Sequence, residues 1–258
     1  QSIGEIHFRL GNTDQARATF DESRRHFETA NDIGSAGRVL QGAALNELVA
    51  GRFQAGEQAY AGSIAQCTKA ADQECIARAQ VGLAFALAAQ QKLDEAVAWY
   101  GRSIASFGAL KMADAEARAR IGLSDVLLGK GEAAGSLAEA ARARHTGVAL
   151  QSDDLLWRAL VAEARAERML KRNDSAMGAA KAALLAVERM SAAALDRPGH
   201  AVSRDTTAAY ATMAVMQAEA GDAAGAFVTA ERMRAHALRA WLAPHEREIA
   251  RGMTASER

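Results

Sequence analysis

Two prolines and two cysteines in 258 residues leave little to interrupt helices and too few thiols for a disulfide-built framework. Aromatic residues are only 5% of the chain, although half of it is hydrophobic, so small side chains must do most of the packing. Acidic and basic residues balance at 31 each, which argues against a nucleic-acid binder working by bulk charge. The longest apolar run, Val81 to Ala89, is far short of the ~20 residues of a membrane span. No signal peptide is visible. The chain opens at Gln1 and reads as a fragment entered inside its first helix, with a cytoplasmic setting as the favoured expectation.

What the chain does contain is a period. Turn positions Gly11, Gly51, Gln91, Gly131 and Lys171 lie 40 residues apart. An aromatic column at Phe20, Tyr60 and Tyr100 keeps the same step and falls to Ala140 and Ala180. A small column runs Ser23, Ser63, Ser103, Ala143 and Ala183. A third runs Gly42, Gly82 and Gly122, then Ala162. Glycine inside a helix costs about 1 kcal/mol against alanine, so three at one spacing mark places where two helix backbones approach closely. A sixth unit begins at Gly221, 50 residues after Lys171, which puts roughly ten inserted residues around Pro198 and Gly199.

The clearest unit is Gln80 to Ile104. Leu83, Ala84 and Leu87 share one helical face, a polar turn follows at Gln90–Lys92, and Ala96, Tyr100, Ser103 and Ile104 form the next stripe. Fixed repetition of such a hairpin means stacked modules, each burying its face on its neighbours. These columns resemble the tetratricopeptide repeat. Leu83, Ala84 and Leu87 match the family's first helix, and Ala96 and Tyr100 the second; Gly4, Ala16 and Phe20 match in the first unit. The family's usual period is shorter, so helices of about 18 residues, roughly 27 Å, are expected. The expected fold is all-α: a right-handed superhelix of about six such hairpins over residues 1–243, with a linker or capping segment over 244–258 where Pro244 breaks the last helix.

Helix starts are expected at Asn12, Asp32, Asp72, Asp94, Asp114, Ser152, Asp174 and Asp222, whose side-chain oxygens can accept first-turn amides. Cys67 and Cys75 flank one turn and read first as two small buried thiols in a reducing compartment; the competing reading is a bond between them, which the turn brings within reach. Trp99, Trp157, Met169, Met213, Met216 and Met233 read as core. Six histidines fall singly, no phosphate loop is present, and neither cysteine has a histidine near it in sequence, so no cofactor, metal site or enzyme activity is expected.

One column carries a functional reading. Arg38, Arg78, Arg118 and Arg158 repeat at the 40-residue step on first helices, which line the concave side in the fold that the resemblance implies. Arg165 and Arg168 lie further along the fifth of these helices, and Gln41 and Asp125 on related faces. Such a row suits carboxylate-bearing peptides, since a guanidinium grips a carboxylate with two parallel bonds. Against that, Glu74, Asp114 and Asp154 each precede an arginine by four residues and would pair with it on the helix.

The end of the chain adds a second resemblance. Glu231-Arg232-Met233-Arg234-Ala235-His236-Ala237-Leu238-Arg239, followed by Arg251-Gly252-Met253-Thr254 and Glu257-Arg258, is similar to the segment joining repeats to the peptidase in CHAT-type proteins. Ala255, where proline is common, and His236 depart from that pattern. The resemblance implies a protein- or peptide-binding regulatory arm, with a caspase-like domain beyond Arg258. Two alternatives stand beside it: the sensor arm of a transcriptional regulator or signalling ATPase, and a self-associating scaffold.

Overall fold

A computed structural model of the chain describes residues 3–195 and 206–242, and among these every regular element is helical. The helices are α1 (Ile3–Arg9), α2 (Thr13–Thr29), α3 (Ile33–Val49), α4 (Phe53–Lys69), α5 (Gln73–Ala89), α6 (Leu93–Ala109), α7 (Ala113–Gly129), α8 (Ala133–Ala149), α9 (Asp153–Met169), α10 (Asn173–Leu195), α11 (Thr207–Glu219) and α12 (Ala223–Leu242). From α2 to α9 each helix is 17 residues long, one short of expectation. The chain forms an all-α repeat of consecutive packed hairpins. The stretches expected as a loop (Asp196 to Ser203) and as a linker (from Pro244) lie outside the described residues.

The period is set by the turns. A residue with left-handed backbone recurs every 20 positions from Gly11 to Lys171 and again at Gly221. The amide after it reaches back five residues to close the helix end, as Arg52 does to the Glu47 carbonyl at 2.8 Å and Lys92 to Leu87 at 3.0 Å. Glycine fills only every second turn of the early repeats; Asn31, Ala71, Gln91, Lys111 and Gln151 take the same conformation with a Cβ in place.

Helix starts follow the sequence signals in part. Asp32, Asp72 and Ser152 are N-caps whose side chains accept the amides of Ser35, Cys75 and Leu155, and Asp222 accepts from Gly225. Asp94, Asp114 and Asp174 are not caps. They sit in the first turns of α6, α7 and α10, where a negative charge complements the helix dipole. Asn12 occupies a cap position without a side-chain bond.

The described chain divides between Glu132 and Ala133 into two compact units. In the first, each helix packs on the next in sequence, and α1, α3, α5 and α7 also touch in succession, so the odd helices form the tighter layer. Leu83, Ala84, Leu87, Ala96, Tyr100 and Ser103 are buried as their spacing requires. The glycine column has a different partner from the one expected. It receives an aromatic ring of the preceding hairpin, not a neighbouring backbone. A Cβ at Gly42 would lie 2.9 Å from the Phe20 ring, at Gly82 2.1 Å from Tyr60, and at Gly122 2.6 Å from Tyr100. Gly4 meets the same Phe20 ring from α1 at 2.9 Å.

In the second unit α8 to α12 pack in sequence and α9 touches α11. Its core gathers Trp157, Leu160, Val187, Tyr210, Met213 and Met216, and Met233 packs against it. Met169 was expected in a core but is exposed at the end of α9. The extra residues of the last repeat are partly helix: α10 runs for 23 residues.

Burial pushes the Tyr60 phenol up to about 12. Tyr100 is also raised, by burial first and then by the Asp125 charge and Tyr60. In the unfolded chain these phenols ionise near pH 10, so the stability they carry is complete below that pH and lost as pH climbs toward the folded values. We predict that the unfolding free energy from urea titration falls between about pH 9 and about pH 11 by on the order of 1–2 kcal/mol, and that Tyr60→Phe flattens the fall. A fall in stability with pH as steep with Tyr60→Phe as without it would contradict this.

Candidate functional site

Three of the eight residues singled out in sequence share one cavity, and it lies within the first unit. The cavity, about 630 Å³, is bounded by Glu5 of α1, Phe20 and Phe27 of α2, Ser35 to Leu45 of α3, Tyr60 of α4 and Arg78 to Gly82 of α5. Arg38, Gln41 and Arg78 supply polar groups beside Glu5 and Ser35, and Val39, Leu45, Val81 and the rings of Phe20, Phe27 and Tyr60 its apolar surface. Gly42 and Gly82 are among its lining residues, together with the Phe20 and Tyr60 rings that rest on them.

The arginines are paired, though not all in the expected way. Arg78 Nε donates to Glu74 Oε1 at 2.8 Å and Arg118 Nε to Asp114 Oδ2 at 2.9 Å, the helical pairs read from spacing. Arg38 has Gly34 where the others have an acid, and it turns to the next hairpin: Nε and Nη2 donate to Asp72 Oδ2 at 3.1 and 2.6 Å. Asp72 is held below the usual carboxylate range by the Cys75 amide first and the Arg38 guanidinium second. Arg118 and Asp125 belong to α7, away from the cavity lining.

The remaining three residues belong to the second unit. Arg158 pairs with Asp154 at 3.2 Å and lies 4.5 Å over the Trp157 ring. Arg165 is half-buried. Arg168 joins α9 to α11 through Glu219 at 2.8 Å, which gives it a packing role.

Cys67 and Cys75 form a disulfide across the α4–α5 turn, with Cα atoms 5.8 Å apart, which decides between the two readings of the pair. Both residues are buried, and a Cβ at Gly37 would lie 2.5 Å from Cys67 Sγ. Gln41 Nε2 donates to the Cys75 carbonyl and meets its Sγ, each at 3.1 Å. Asp72, the partner of Arg38, lies inside the closed loop. The bridged turn thus holds Arg38 and Gln41, two of the cavity's polar residues, and no sequence signal pointed to that link. Among the described residues no group of acidic, histidine or cysteine side chains is placed to hold a metal ion, and no helix is long and apolar enough to cross a membrane.

Neither a family profile nor a curated protein sequence matches the chain. Solved structures do. BtubC from P. vanneervenii superposes with a TM-score of 0.69 at 13% identity, over 92% of this chain and 91% of that one. A Signal Transduction ATPase with Numerous Domains from Pyrococcus horikoshii, which carries a tetratricopeptide repeat sensor, gives 0.68 at 13% identity over 93% of this chain. NprR in complex with its cognate peptide NprX gives 0.61 at 10% identity over 94%. The fold is a tetratricopeptide-like helical repeat. This tetratricopeptide-like chain spans 36% of the length of the ATPase and 68% of NprR.

The disulfide closes a short loop, and in the chain-entropy account such closure stabilises by about 2–3 kcal/mol. We predict that Cys67→Ser/Cys75→Ser lowers unfolding stability by roughly that amount, and that the unreduced protein shows no free thiol on denaturation. Two titratable thiols in the unreduced, denatured protein would contradict the bridge.

Proposed function

We propose that this chain is a recognition module that binds a protein or peptide segment in the cavity of its first unit. The observation that carries the reading is the convergence of Arg38, Gln41 and Arg78 on an apolar-walled cavity along the odd helices. Proteins of the same fold support it: NprR was solved with its cognate peptide, and a Rap protein with Competence and Sporulation Factor. Arg118, Asp125, Arg158, Arg165 and Arg168 are not among the residues that line this cavity, and the reading does not rest on them.

Within that reading, the module is the regulatory arm of a CHAT-type protein. The support is the sequence Arg251-Gly252-Met253-Thr254 with Glu257-Arg258, which lies outside the described residues. A caspase-like domain would then follow, and the chain itself would recognise and not cut. A second reading, the sensor arm of a signalling ATPase, is favoured by the likeness to the Pyrococcus horikoshii protein, of which this chain spans about a third. The reading frame beyond Arg258 and before Gln1 separates the two: a caspase-like domain supports the first, a nucleotide-binding domain the second.

The binding role is tested by selection from a random displayed-peptide library on the immobilised chain and on an Arg38→Ala/Leu45→Lys variant with the same circular dichroism. The expected result is enrichment on the parent chain that is lost on the variant. Enrichment that ignores the variant, or none on either, would overturn the reading.

A further inference from the structure

Both sulfurs of the Cys67–Cys75 bridge bear on α3. Cys67 Sγ lies against Gly37, where a Cβ would come within 2.5 Å of it, and Cys75 Sγ meets Gln41 Nε2 at 3.1 Å. Gly37 and Gln41 are one helical turn apart and flank Arg38. Cys67 Sγ also meets Ser63 Oγ at 3.7 Å, and that hydroxyl donates to the Gly37 carbonyl at 2.7 Å. The bridge therefore fills a closed slot between α3, the end of α4 and the start of α5, with both cysteines buried.

The same slot recurs along the repeat and is filled there without a bond. Position 67 becomes Phe107 and then Gly147, and position 75 becomes Ala115 and then Leu155. Phe107 and Leu155 are buried, and Ala115 packs against the core that holds Phe107. A Cβ at Gly147 would lie 3.2 Å from Leu155 Cβ. A large residue opposite a small one suffices at those two turns. Packing of the hairpin thus needs the slot filled but not a covalent link, and the link between α4 and α5 is an addition that chemistry can reverse.

Reversal has a direction. A thiolate of a dithiol reductant attacks one sulfur, forming a mixed disulfide as the Cys67–Cys75 bond breaks. The reductant's second thiol then closes on the first, leaving as a cyclic disulfide and giving two electrons and two protons to the cysteines. Two unbonded sulfurs keep a van der Waals separation that a bridge does not, so the two thiols need more room. Cys67 cannot retreat toward α3, because the Gly37 side of the slot has no space even for a methyl group. Cys75 can move, since it sits in the first turn of α5. Its amide donates to Asp72 Oδ1 and the Ile76 amide to the Asp72 carbonyl, each at 3.0 Å. Asp72 in turn accepts from Arg38 Nη2 at 2.6 Å.

We propose that the Cys67–Cys75 pair is a redox switch within the first unit. Oxidised, it pins the α4–α5 turn to α3. Reduced by a dithiol, it lets the first turn of α5 move off α3, so that Asp72 releases Arg38 and the Cys75 amide. The switch acts on this edge of the cavity whatever the cavity binds.

The test compares the full chain oxidised, treated with dithiothreitol, and reoxidised with glutathione disulfide. Thiols are counted by alkylation, and amide hydrogen exchange is read residue by residue. Two thiols should appear while the circular dichroism stays helical, and exchange at Asp72, Cys75 and Ile76 should quicken by about tenfold. Reoxidation should restore the slow rates. The equivalent amides of Met112 and Glu116, and of Arg172 and Ala176, should keep theirs. Cys67→Phe/Cys75→Ala, which copies the Phe107 and Ala115 pair, should fold and ignore the reductant. If that variant does not fold, the three states of the parent chain decide alone. A bridge that resists dithiothreitol until the chain unfolds would overturn the switch. So would unchanged exchange at Asp72 with both thiols free, a quickening shared by all three turns, or a response of the folded variant to reductant.

Discussion

A ring laid on a bare backbone sets the spacing of the first unit. Phe20, Tyr60 and Tyr100 each project from an even helix onto a glycine 22 residues later, on the odd helix of the next hairpin. All three rings are almost fully buried. Burying an aromatic side chain contributes about 1.5–3 kcal/mol, and glycine in mid-helix gives back only about 1 kcal/mol of that. The exchange is favourable only while the ring and the missing methyl occur together. Where the aromatic falls to Ala140, the partner position becomes Ala162, and both are buried. The second unit fills its interior by other means, with Trp157, Tyr210 and the methionines of α11.

The same column shapes the candidate site. Gly42 and Gly82 seat the Phe20 and Tyr60 rings against the odd helices, and those rings and glycines together form part of the cavity wall. The polar groups are then held by the α4–α5 turn: Asp72 fixes Arg38, and Cys75 fixes Gln41. Pairing does not make these arginines inert. A guanidinium has five N–H donors, and an exposed ion pair contributes about 0–1 kcal/mol, so a ligand carboxylate competes with it on nearly equal terms.

The repeat was legible in the sequence because each turn needs one left-handed residue, and each hairpin needs small residues where helices meet. Both leave marks at fixed intervals. Cap positions at Asp94 and Asp114 were misplaced by two residues, since an acid in the first turn and an acid at the cap look alike without coordinates. The partner of Arg38 was not legible. Helical spacing points to position 34, which is glycine, and the actual acid lies 34 residues ahead on another hairpin. Whether Cys67 and Cys75 bond depended on a distance across a turn that spacing alone leaves open. Met169 was read as core from its residue type, but its place at the end of α9 leaves it in solvent.

The most direct measurement of the central claim is a thermodynamic cycle on one ring and its glycine. Gly82→Ala in the parent chain should lower unfolding stability by about 1–3 kcal/mol, because the new methyl would sit against Tyr60. In a Tyr60→Ala background the clash is gone and only helix propensity remains, so the same substitution should raise stability by up to about 1 kcal/mol. A change of the same sign and size in both backgrounds would show that the ring and the glycine are independent, and would contradict the account.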